Sequence, residues 1–177
     1  MTRLYKLAGK NWSDVRATDY NGRSNIIPGS PNNDLACPYF MPVEKLLNGS
    51  WPHPTRLPLG GGWRGHCTAP QHENETPPQD VLEAFCNLGY ATGCSWAPQE
   101  RKWDAVRFAV SARRSDTKDD SSHLIRIGYV CERNHLPVER GDLEVNAQQL
   151  HWVKSHLDPR LQKMAECFLK SRLEKNN

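Results

Sequence analysis

Long apolar runs are what this chain most conspicuously lacks. Mean hydropathy is −0.74, and hydrophobic residues make up 37% of the 177 positions. No stretch has the length and apolarity to span a bilayer. The start, Met1 to Gly22, carries Arg3, Lys6 and Lys10 without the apolar core of a secretory signal. The expectation is therefore a cytoplasmic protein with no membrane partner, in which the Asn-x-Ser/Thr matches at Asn11, Asn48 and Asn74 carry no sugar. Thiols stay reduced in that compartment, so disulfides are the least expected use of its six cysteines. Charge of one dominant sign is also missing: the net charge of +3 and pI of about 8.5 are too mild to name nucleic acid as a partner. Charged residues are an ordinary 24%, and six tryptophans argue for an ordered interior rather than a disordered chain.

Familiar site signatures are absent as well. There is no close Cys-x2-Cys pair, which removes the zinc-finger and zinc-ribbon patterns, and no tight cysteine run of the bacterial ferredoxin kind. Gly60-Gly61-Gly62 lacks the lysine and Ser/Thr that a phosphate-binding loop requires. No protease-like Cys–His signature and no internal repeat is present, so a thiolate nucleophile is held only in reserve.

What the chain does have is an unusual concentration of cysteine, proline and glycine. Cys37, Cys67, Cys86 and Cys94 lie within residues 37–98, with 9 of the 13 prolines and 7 of the 12 glycines. Such composition breaks helices and interrupts strands. Ordering it costs roughly 1–2 kcal/mol of backbone entropy per residue, and few aliphatic side chains are at hand to offset that. Four thiolates meeting at an inorganic centre would supply the missing organisation.

The neighbours of the four cysteines fit that idea. Pro38 follows Cys37, an arrangement that resembles the Cys-Pro ending of ferredoxin motifs. Gly65-His66 precedes Cys67, and a helix end with its following turn can aim Cys86 and Cys94 at one point. Tyr39, Phe40, Trp63, Tyr90 and Trp96 adjoin the four and can exclude water. Lys45, Arg56, Arg64 and Lys102 are near enough in sequence to offset negative charge. His66 and His72 with Cys86 and Cys94 offer an alternative Cys/His zinc site. Cys131 and Cys167 read instead as small buried hydrophobes.

The expected fold is α+β: a small irregular domain over 1–145 with a loop-rich metal-binding segment at 37–98, a β-hairpin within 103–131, and C-terminal helices over 146–177 packed on it. Residues 1–36 should be irregular or hold one short strand. A helix should start near Thr76, with Pro77 and Pro78 in its first turn, and carry Cys86 at its end. Val106, Phe108 and Val110 alternate in one strand, and Ile125, Ile127, Tyr129 and Cys131 in the next, across a charged loop from Arg113 to His123. Asn146 can cap a helix bearing Leu150, Val153 and Leu157; Asp158-Pro159 then restarts the chain into Leu161, Met164, Ala165 and Phe168. Lys163, Lys170, Arg172 and Lys175 on that last helix read as a solvated face.

The functional expectation is a small iron–sulfur protein holding one [4Fe–4S] cluster through Cys37, Cys67, Cys86 and Cys94. It would act in electron transfer, in redox or iron sensing, or as an accessory to a larger enzyme, its partner a redox protein or that enzyme. Four cysteine ligands leave no open coordination position, so no independent catalysis is expected. The alternative is a structural zinc module that binds protein or nucleic acid.

Overall fold

Two strands emerge from the proline- and glycine-rich stretch where the sequence suggested only irregular chain. The computed structural model describes residues 35–47, 57–113 and 124–174. Strands β1 (Phe40–Lys45) and β2 (Trp63–Cys67) pair antiparallel, with Phe40 opposite Cys67 and a register shift between Pro42 and Glu44. A two-stranded sheet accepts Pro42, because a strand with a free side need not use every donor. At Gly65 a Cβ would stand 2.0 Å from the Met41 carbonyl oxygen. Only glycine permits that approach of backbone to backbone.

The predicted helix is short. Pro77 and Pro78 lead into α1 (Gln79–Val81), which widens at once into a π-helical turn, Leu82–Cys86. The Asn87 N–H closes this turn on the Leu82 carbonyl at 3.2 Å, one residue further back than an α-helix would use. A 3-10 turn at Ala91–Gly93 then delivers Cys94.

The hairpin is half of a larger sheet. Strands β3 (Ala105–Arg113) and β4 (Leu124–Arg133) pair as their alternation predicts, Val106 opposite Cys131 and Phe108 opposite Tyr129. Two further strands extend them in sequence order: β5 (Leu136–Asn146) and β6 (His151–Lys154). Asn134 and His135, both at positive φ, make the tight β4–β5 turn, as two-residue hairpins require. The expected helix after Asn146 is thus replaced by β6. Asn146 does cap, its Oδ1 accepting the Gln148 and Gln149 N–H groups at 3.0 and 3.1 Å, but what it caps is a turn back into the sheet.

The last predicted helix is present as α2 (Pro159–Glu174). Asp158 caps it, its Oδ1 accepting the Arg160 N–H at 2.9 Å, and Pro159 takes the first helical position. Leu161, Met164, Ala165 and Phe168 are fully buried against β1 and β3, with the Phe168 ring 6.0 Å from that of Phe108. Each large side chain so buried contributes about 1.5–3 kcal/mol. The architecture is α+β: two antiparallel sheets with helix α2 packed against both. No helix among the described residues is long and apolar enough to cross a membrane. The expectations for residues 1–34, for Asn48 and Arg56, for the charged loop at 114–123 and for Lys175 lie outside the described residues.

Candidate metal centre

Four separate pieces of backbone deliver the four cysteines. Cys37 precedes β1 in a tight turn that the Phe40 N–H closes on the Cys37 carbonyl at 3.1 Å, and its own N–H donates to the Cys86 carbonyl at 3.2 Å. Cys67 ends β2. Its N–H donates to the Glu75 carbonyl and its carbonyl accepts the Asn74 N–H, both at 2.8 Å, so the following loop folds back beside the sulfur. Within that loop the Ala69 N–H donates to the Cys67 Sγ at 3.4 Å.

Cys86 ends the π-helical turn, and the next residue fixes its place. The Asn87 side chain, 1% exposed, takes the Trp63 N–H on Oδ1 at 3.0 Å and gives its Nδ2 to the Trp63 carbonyl at 3.0 Å. One side-chain amide thus acts as a strand neighbour for β2. It ties the turn carrying Cys86 to the strand carrying Cys67.

Cys94 is anchored from the larger sheet. The Ala91 N–H donates to the Asp104 carbonyl at 2.7 Å, and Arg101 bridges the Pro98 carbonyl at 2.6 Å and the Asp104 carboxylate at 2.5 Å. Asp104 is itself buried and also accepts the Asn134 N–H at 2.6 Å. Gly93 is needed beside the thiol, because a Cβ there would meet the Phe85 ring at 2.6 Å.

These anchors bring all four side chains to the wall of one small cavity, with room for about one water molecule. Tyr39, Phe40 and Trp96, with Ala69, Val81 and Ala97, complete the lining; no histidine and no charged residue is among them. Every pairing of the four cysteines lies within electrostatic reach, each thiolate raising the cost of ionising another. Burial is the larger effect. It pushes Cys37 up to about 12, and it raises Cys86 and Cys67 as well. Backbone N–H groups work the other way: those of Tyr39 and Phe40 toward the Cys37 sulfur, and those of Ala69 and Thr68 toward Cys67. Donors aimed at sulfur in an apolar enclosure favour thiolate once positive charge arrives to share it.

Cys131 and Cys167 stand apart. They are buried on β4 and α2, outside the cavity lining, and burial pushes each up to about 12. The charges that act on them belong to other groups, Glu139, Lys102 and Asp158 for Cys131 and Lys163, Glu166 and Lys170 for Cys167. All six cysteines are free thiols.

No known family, characterised protein or solved structure matches the chain. Chemistry at the site therefore rests on the residues themselves. The two histidines of the alternative zinc site are not in the lining. His72 instead stacks on Trp96 at 4.3 Å, with its Nδ1 3.2 Å from Glu75 Oε2. Among the described residues, no three His, Cys, Asp or Glu groups are placed to hold one metal ion. Of the aromatics beside the cysteines, Trp63 and Tyr90 face elsewhere: Trp63 fills the main core and Tyr90 bonds Glu132. Of the expected counter-charges, Lys45 pairs with Glu174 and Lys102 with Glu139. A cation that sequence distance concealed sits closer: the Arg160 guanidinium lies 5.3 Å from the centre of the Tyr39 ring. Asn87 and Arg160 are the two site residues that sequence reasoning missed, and neither belongs to a motif that would have revealed it.

Proposed function

We propose that this protein binds a [4Fe–4S] cluster through Cys37, Cys67, Cys86 and Cys94. It uses the cluster to pass electrons to a protein partner, or to report redox or iron status as an accessory to a larger enzyme. The observation that carries this reading is the cavity: four thiols from four segments and otherwise apolar or aromatic walls. The donor set fits the group. Iron–sulfur centres take all-thiolate ligation, and amides directed at sulfur help set their potential.

A structural zinc on the same four thiolates, with Zn–S near 2.3 Å, is the alternative occupant. Cys94 is the partly exposed member of the four, and Trp96 stacks on His72 beside it. That edge offers a short route to a partner, whereas Cys37, Cys67 and Cys86 are buried.

Anaerobic purification with metal and sulfide analysis tests the proposal. The protein should be brown and hold iron and acid-labile sulfide in near-equal amounts. Serine at Cys37, Cys67, Cys86 or Cys94 should each remove the colour, while serine at Cys131 or Cys167 should leave it. A colourless protein with one zinc per chain would sink the iron–sulfur assignment, and so would a colour that survives all four changes.

A further inference from the structure

Arg160 is a fixed cation over Tyr39, one of the residues that line the cavity. Its guanidinium is held at two points by Asp158, Nε to Oδ1 at 3.0 Å and Nη2 to Oδ2 at 2.6 Å. Asp158 is constrained in turn: it caps α2 through the Arg160 N–H, and its own N–H donates to His156 Nδ1 at 2.9 Å. The side chains of Arg160 and Asp158 retain only 25% and 18% of their exposure. Arg160 thus lies over Tyr39, which lines the cavity two residues after Cys37. It is also close enough to Cys37 for the two charges to act on each other.

A planar guanidinium both stacks on an aromatic face and pairs with a carboxylate, which an ammonium does less well. Partial burial also reduces the screening that makes most surface charges inconsequential. Of the neighbouring cations, Lys163, on the next turn of α2, is 43% exposed and pairs with Glu166, while Arg101, whose charge also reaches Tyr39, is paired with Asp104.

We infer that Arg160, positioned by Asp158, sets the reduction potential of the thiolate centre by favouring its more negative, reduced state. This inference rests on the iron–sulfur reading above. Reduction adds one electron to the centre and moves no atom of Arg160, so the residue acts through its field alone.

The test compares midpoint potentials of anaerobically prepared full-length variants, with iron and sulfide content measured in each. Arg160→Gln should shift the potential in the negative direction, and Arg160→Lys by less. Asp158→Asn keeps a good helix cap while removing a negative charge, so it should shift the potential in the positive direction. Lys163→Gln should leave it in place. Opposite signs from two neighbouring changes would not arise from a merely structural role. Wild-type potentials in Arg160→Gln and Asp158→Asn at full iron content would overturn the inference and leave the cluster standing. So would a Lys163→Gln shift as large as that of Arg160→Gln. Should Arg160→Gln fail to retain iron, the Arg160→Lys and Asp158→Asn pair decides alone. Wild-type protein without iron would instead overturn the cluster, and this inference with it.

Discussion

Asn87→Ala probes the clamp between the two halves of the site. In the folded chain the Asn87 amide partners both the N–H and the carbonyl of Trp63, at 3.0 Å each. A third contact, to the Leu82 carbonyl at 3.3 Å, is less exclusive, because the Asn87 backbone N–H already bonds that oxygen. Alanine therefore orphans two buried main-chain groups. At about 1–3 kcal/mol for each, the loss is roughly 2–6 kcal/mol. A domain of this kind has about 5–15 kcal/mol in all. With a urea dependence near 2 kcal/mol per molar, the unfolding midpoint should fall by roughly 1–3 M. Tryptophan emission under argon follows the transition, since Trp63 and Trp103 are both buried. Arg126→Ala is the scale for comparison. Its bond to Glu144 at 2.9 Å lies at the surface, and removing it should cost under about 1 kcal/mol. If Asn87→Ala and wild type unfold at the same urea concentration, the clamp carries no weight and the account of how Cys86 reaches Cys67 is wrong.

Other outcomes follow from the same geometry. Gly65→Ala forces a methyl group into the Met41 carbonyl and should separate β1 from β2, at a cost near the top of the roughly 1–3 kcal/mol typical of overpacking; thermal melts measure it. In metal-free protein, iodoacetamide at mildly alkaline pH should label Cys94 first, because it is the one cysteine that is not buried, while burial keeps Cys37, at about 12, protonated. Peptide mass mapping that found Cys37 labelled ahead of Cys94 would contradict this. Acid stability should depend on Asp158. Burial opposes its ionisation, but the Arg160 guanidinium and the first N–H groups of α2 outweigh it and hold its pKa below the ordinary carboxylate value. A folded pKa below the unfolded one stabilises the protein above about pH 4 and loses that contribution as the pH falls through the folded value. In Asp158→Asn the melting temperature should therefore depend less on pH in that acid range.

Sequence alone exposed the parts of the fold that bury one face cleanly. Val106 and Phe108 on β3, and Ile125, Ile127 and Cys131 on β4, alternate because one side of each strand meets the core. α2 was legible for the same reason, its stripe from Leu161 to Phe168 being fully enclosed. β5 was not, because Pro137, Gly141 and a run of charges obscure its pattern until Leu143 and Val145. β6 was actively misleading. Leu150, Val153 and Leu157 fall at helical spacing, yet all three face solvent, Leu157 completely. Hydrophobic periodicity reports a core only when something covers it.

Cys37, Cys67, Cys86 and Cys94 line one cavity apart from Cys131 and Cys167, but the stretch that carries them is not coreless: Cys37 and Cys86 belong with Phe40, Leu59, Trp63 and Leu82 to the main apolar core, which proline and glycine content concealed. Asn87 and Arg160 were not legible, since both act across long stretches of chain and their identities carry no positional signal.

The wide turn at Leu82–Cys86 has a consequence for chain length. It holds one residue more than an α-helical turn, so excising Ala84 would let the coil tighten to ordinary pitch and still complete roughly one full turn. The Cys86 thiol would nearly keep its phase toward its three companions, whereas the same cut in a regular α-helix would rotate all that follows by about 100°. The interval between Cys67 and Cys86 thus carries one residue of slack, stored in a local winding.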